Sequence, residues 1–104
     1  MKFNSNIINL AKNKAKQSLC TYRVSALGFN EKGELIKTAT NSPSCRKNKG
    51  NKYHAEMNLI RKSKSVKTII ICRIGGNGDL LPIDPCVNCA KVCEDLGIKI
   101  YSLK

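Results

Sequence analysis

The sequence has no apolar run of membrane-spanning length, and no apolar core behind an N-terminus that turns lysine-rich by Lys12. The first absence argues against a transmembrane helix and the second against a secretory leader. Internal repeats and low-complexity linkers are missing too, so residues 1–104 read as a single domain. Aromatic residues are scarce: three tyrosines, two phenylalanines and no tryptophan. Acidic residues are also few, seven against nineteen lysines and arginines. At 41% hydrophobic and 25% charged, the composition is that of an ordinary soluble globular chain with room for one modest core. Without a leader, the six cysteines read as reduced thiols of a cytoplasmic protein rather than as a disulfide framework.

The net charge of +12 admits two readings. It favours an anionic partner, either a nucleotide phosphate or a nucleic acid. It equally describes a lysine-rich, solvated surface. Charge speaks to association, not to fold.

Cys20, Cys45, Cys72 and Cys93 offer no second closely spaced pair, so the C-x-x-C at Cys86 and Cys89 is not half of a zinc ribbon. Its companion lies upstream, in His54-Ala55-Glu56. A histidine nitrogen and two thiolates are three ligands for Zn²⁺, and a site with three protein ligands keeps a fourth position open for water. Glu56 is too close to His54 along the chain to be a convenient fourth ligand, but well placed to handle protons on a water at that metal. Zinc held by two thiolates and a neutral histidine is formally uncharged, and acidifies water less than a three-histidine site of charge +2. A carboxylate that takes the proton is then required, which gives Glu56 a chemical reason to be there.

Both stretches are placed to open helices. Asn4 or Ser5 caps a first helix to about Leu19, with Phe3, Ile7, Leu10, Ala11, Ala15 and Leu19 on one side. Tyr22 to Phe29 and Glu34 to Thr40 form a hairpin about Asn30-Glu31-Lys32-Gly33. A polar loop from Asn41 to Tyr53 carries Arg46, Lys47, Lys49 and Lys52 and runs straight into His54. Its charges, Arg46 and Lys52 among them, are candidate substrate contacts, and Tyr53 could stack a base. The plainer reading is a solvated loop. His54 to Ser63 is helical, and Lys67 to Ile74 holds the apolar run Ile69-Ile70-Ile71-Cys72 of a strand covered on both faces. Gly75 to Asp79 is a turn without the sequence of a phosphate-binding loop. Pro85 opens a helix from Cys86 to Leu96 that Gly97 closes, and Ile98 to Leu103 is a last strand. The order helix, strand, strand, helix, strand, helix, strand gives an α/β sheet of mixed direction.

The region from about Tyr22 to Tyr101 resembles the cytidine and deoxycytidylate deaminase superfamily. His54-Ala55-Glu56-Met57-Asn58 followed by Pro85-Cys86-Val87-Asn88-Cys89-Ala90-Lys91 is most similar to its deoxycytidylate branch. The resemblance implies a three-layer α/β/α sandwich with a mixed sheet of about four strands. It implies zinc on His54, Cys86 and Cys89, Glu56 as the catalytic proton shuttle, and Asn41 against the sugar or base. The implied reaction is hydrolysis at C4 of cytosine to give uracil and ammonia. Two departures bear on the substrate. The chain stops after its fourth expected strand, a C-terminal truncation relative to a family that usually adds a further strand and helices. It also has a long stretch, Gly75 to Asp84, before the second motif.

Three functions compete. The first is deamination of a free cytosine nucleotide resembling deoxycytidylate; the second is deamination of cytosine or adenine in single-stranded DNA or RNA. The third is a noncatalytic zinc-stabilised module, against which the presence of Glu56 argues. The exposed edge of a last strand without a neighbour leads to the expectation of a homo-oligomer.

Overall fold

The computed structural model describes residues 5–18, 23–41, 54–85 and 87–103. The elements follow in order as α1 (Ser5–Ala15), β1 (Arg23–Phe29), β2 (Leu35–Thr40), α2 (Ala55–Lys62), β3 (Thr68–Ile74), β4 (Leu80–Leu81), α3 (Val87–Asp95) and β5 (Lys99–Ser102). They form one mixed sheet in which β1 lies between β2 and β3, antiparallel to both. The far side of β3 is shared: β5 runs parallel to it along Thr68–Ile71, and β4 antiparallel at Arg73 and Ile74.

Alternation along the strands builds two cores. Val24, Ala26, Ile69 and Ile71 turn to one face, where Ala55 and Leu59 of α2 and Cys93 of α3 cover them. Leu27, Phe29, Ile70, Cys72 and Ile74 turn to the other, under Ala11 and Ala15 of α1. The architecture is the expected α/β/α sandwich, and β3 is apolar from Ile69 to Cys72, where it is covered on both faces. Leu59 is fully buried, worth about 1.5–3 kcal/mol, and is the main apolar anchor of α2. Gly28 makes its approach feasible. A Cβ there would stand 2.8 Å from Val66 Cγ2 and 3.0 Å from Leu59 Cδ2.

The sheet has five strands where about four are expected. The addition is β4, in the stretch expected to be a connecting loop. Gly75–Asp79 closes a tight turn, with Gly75 N–H donating to Asp79 O at 3.0 Å and Gly78 at φ 87°, so the chain folds back onto β3. Two leucines are too short a run to show alternation, and their pairing is a product of that turn. α1 ends at Ala15, short of the expected Leu19. The hairpin is as expected: Asn30 Oδ1 accepts from the N–H groups of Lys32 and Glu34, and Gly33 takes φ 81°. At the end of α3, Gly97 N–H bonds Glu94 O and Ile98 N–H bonds Cys93 O. With Gly97 at φ 72°, this paired closure turns the chain directly into β5. No helix among the described residues is long and apolar enough to cross a membrane.

Candidate functional site

α2 runs antiparallel to β2. Asn58 Nδ2 donates to Thr40 O at 2.7 Å and, one turn later, Lys62 Nζ donates to Thr38 O at 3.3 Å. His54, ahead of the helix, therefore sits beyond the carboxyl end of β2. Through the ladders this is also the end where β1 starts and β3 finishes, since Ser25 pairs with Thr40 and Arg23 with Ile74.

His54 is the N-cap residue of α2, in extended conformation at φ −68° and ψ 154°, with no capping bond from its side chain. The ring is thus not committed to the helix. Its Nδ1 atom lies 3.5 Å from Sγ of Cys89, in the first turn of α3. With zinc–sulfur and zinc–nitrogen bonds of about 2.3 and 2.0–2.1 Å, two tetrahedral ligands are about 3.5–3.6 Å apart. One imidazole nitrogen and one sulfur at this separation fit zinc. Cys89 is buried and His54 half-buried, so the pair is partly withdrawn from water. Cys86, the third expected ligand, lies outside the described residues, as do Arg46, Lys52 and Tyr53. Accordingly no group of three potential ligands is complete among the described residues.

Glu56 is the second residue of α2 and only 4% exposed. An acidic side chain is favoured at this end of a helix by the unpaired N–H groups and the dipole. Burial withdraws the carboxylate from the helix surface, two residues after His54. Across from it is Cys93, whose thiol is pushed up to about 11, first by burial and then by the charge of Glu56. Cys93 is therefore a neutral thiol packed in the core beneath the site.

Asn41 follows β2 directly and is 8% exposed. Its carboxamide oxygen accepts from Ser18 Oγ at 2.7 Å and from Val24 N–H at 3.1 Å, while its own N–H bonds Val24 O. The side chain thus joins the end of α1, the start of β1 and the end of β2. Its backbone neighbour Thr40 is held by Asn58 of α2, which brings Asn41 to the same end of the sheet as His54.

Two positioning residues have no sequence signal of their own. Ser18 is a polar residue after a lysine-rich helix, and nothing in its neighbourhood announces a buried partner 23 positions on. Asn58 stands inside the His54 motif, yet its bonds to Thr40 and to Arg61 appear only once α2 is laid along β2.

Among solved structures, cytidine deaminase from Mycobacterium tuberculosis superposes with a TM-score of 0.60 at 16% identity, covering 99% of this chain and 86% of that one. Two point variants of the same enzyme superpose with TM-scores of 0.60 and 0.57, at 16% and 18% identity. They cover 99% and 92% of this chain, and 87% and 78% of theirs. At these identities the likeness establishes the fold. Among curated proteins no sequence matches. The family profile described as the cytidine and deoxycytidylate deaminase zinc-binding region matches residues 1–103. On that match the chain belongs to the zinc-binding cytidine and deoxycytidylate deaminase family.

Proposed function

We propose that the chain hydrolyses the exocyclic amine of cytosine in a free nucleotide of the deoxycytidylate kind, giving the uracil nucleotide and ammonia. Family membership supports a zinc-dependent deaminase of cytosine compounds in general. The observation that carries the deaminase reading is the meeting of His54 Nδ1 and Cys89 Sγ, with Glu56 buried two residues on; the nucleotide of the deoxycytidylate kind rests on the resemblance of the His54–Asn58 and Pro85–Lys91 stretches to that branch.

His54, Cys86 and Cys89 are the residues that would hold zinc. When bound, the metal would supply Lewis-acid activation of the attacking water. Glu56 would take a proton from the attacking water and deliver it to N3 of the ring as oxygen adds at C4. It then carries a proton to the departing amine, so water and cytosine are consumed and uracil and ammonia released. Exclusion of bulk water from Glu56 keeps that proton between carboxylate and substrate. Asn41 is the candidate contact to sugar or base, Tyr53 a stacking partner, and Arg46 and Lys52 the contacts to phosphate. The open edge of β5, which pairs only with β3 among the described residues, supports self-association, measurable by light scattering.

The test compares ammonia release from deoxycytidylate, cytidine, adenosine and cytosine within single-stranded DNA. Turnover of deoxycytidylate with weak dependence on salt is the expected result. Activity confined to the DNA strand and collapsing with salt would assign the substrate to nucleic acid, the reading that the charge of +12 favours. A zinc-loaded protein inert toward all of them would be the noncatalytic module.

A further inference from the structure

Two shallow depressions adjoin along the edge of β2 that pairs with no strand among the described residues. Lys14 and Lys62 border both, so they are one continuous groove. Arg61 joins them toward Thr40 and Asn58, and Lys37 toward the middle of the strand. Four cations from three elements converge here, and no aspartate or glutamate lines either depression. At the hairpin end of the molecule the arrangement differs. There Glu31 and Glu34 are interleaved with Lys32, Lys64 and Lys67.

Helix dipoles account for part of this pattern, since Lys14, Arg61 and Lys62 stand in the last turns of α1 and α2. They do not account for Lys37, in a strand, nor for the convergence of two helix ends on one edge. Neither is the edge built for a second copy to extend the sheet. Its outward carbonyls at Thr38 and Thr40 already accept from Lys62 and Asn58, and lysines would face lysines. The groove also points at the site. Arg61 follows His54 by seven residues along α2, about 10 Å at 1.5 Å per residue, and Thr40 leads straight into Asn41.

We infer that this groove binds the phosphate backbone of a single-stranded nucleic acid. Among the described residues no helix or ribbon stands at this edge to enter a duplex groove and read base edges. With five aromatic residues in the chain, recognition runs through phosphates and carries no sequence preference. The inference goes beyond the proposed deamination: the bound strand need not be the molecule deaminated.

The test uses the zinc-loaded chain and a fluorescein-labelled oligothymidylate, which contains no cytosine, so binding is read apart from turnover. Anisotropy titrations from about 50 to about 200 mM salt are expected to give a log–log slope of about −2 to −3, near −0.7 for each engaged cation. Lys14→Glu combined with Lys37→Glu weakens binding about tenfold and flattens the slope, while deoxycytidylate turnover is unchanged. Lys32→Glu combined with Lys64→Glu alters net charge equally at the hairpin end and leaves binding near the parent value. Equal weakening by both pairs would overturn the inference, because the attraction would then belong to the whole molecule. So would absence of binding at low salt, preference for a duplex, or an oligomer that only the groove pair dissolves. A protein that binds oligothymidylate but deaminates nothing sinks the proposed function alone; one that deaminates without binding it sinks the groove alone.

Discussion

The Nδ1 atom of His54 stands 3.5 Å from the sulfur of Cys89, although 35 positions separate them in the chain. Two elements on one face of the sheet bring them together: α2, laid along β2, and α3, which β5 ties back to β3. The separation suits two ligands of one tetrahedral zinc, and a thiol–imidazole contact has a similar length, so the metal itself must be measured. Protein purified without chelator is expected to carry one zinc per chain. Cys89→Ala should lose it together with part of the stability, because metal binding free energy is folding free energy where the site forms only in the folded chain. Retention of zinc at the parent level in Cys89→Ala would remove Cys89 from the site.

Gly28 is a packing test of the same helix. A methyl group there meets Val66 Cγ2 at 2.8 Å and Leu59 Cδ2 at 3.0 Å, both side chains fully buried. Gly28→Ala is expected to cost about 1–3 kcal/mol through overpacking, read from the urea midpoint. Because Leu59 anchors the helix that begins after His54, activity should fall with it. An unchanged midpoint would mean that α2 yields freely.

Cys72 contributes, with Cys93, to the alkaline limit of stability. Burial pushes its thiol up to about 11 from 9.0, and the Ser25 hydroxyl and the charge of Lys12 only partly oppose this. The fold therefore favours the neutral thiol. Its contribution is fully present below pH 9.0 and is lost as pH rises through about 11. Stability of the parent should decline across that window, and Cys72→Ala should decline less steeply. Parallel curves for the two proteins would show that Cys72 does not contribute to the limit.

The second core face contains a polar crossing that can be weighed. Ser18 Oγ donates to Asn41 Oδ1 at 2.7 Å, and both residues are buried. Ser18→Ala leaves that oxygen with Val24 N–H as donor, for an expected loss of about 0.5–1.5 kcal/mol. If Asn41 touches substrate, KM for deoxycytidylate should rise in the same variant with kcat nearly kept. A loss of stability with KM unaltered would confine Asn41 to the scaffold.

Much of this molecule can be read from its residues, for identifiable reasons. The run Ile69-Ile70-Ile71-Cys72 is legible because a strand covered on both faces needs no alternation, and Gly33 and Gly97 mark the two sites where positive φ closes an element. His54, Glu56 and Cys89 are legible because metal ligands and a proton carrier demand particular atoms at particular spacings. β4 is not, since two residues carry no period and their pairing depends on the turn before them. Ser18 and Asn58 are hidden for a related reason: their partners are distant in sequence and of ordinary type. The groove on β2 is hidden most completely. Lys14, Lys37 and Lys62 each read as solvated surface until α1 and α2 end beside the same strand.

Catalysis by Glu56 is the claim on which the account turns, and the direct measurement compares the parent with Glu56→Gln, each with its zinc content determined. Deoxyuridylate formation from deoxycytidylate is followed at saturating substrate. The variant is expected to hold zinc and keep its fold while kcat falls about 10²- to 10⁴-fold, the usual worth of a positioned acid–base group. Turnover of Glu56→Gln at the parent rate, with zinc in place, would contradict catalysis by Glu56.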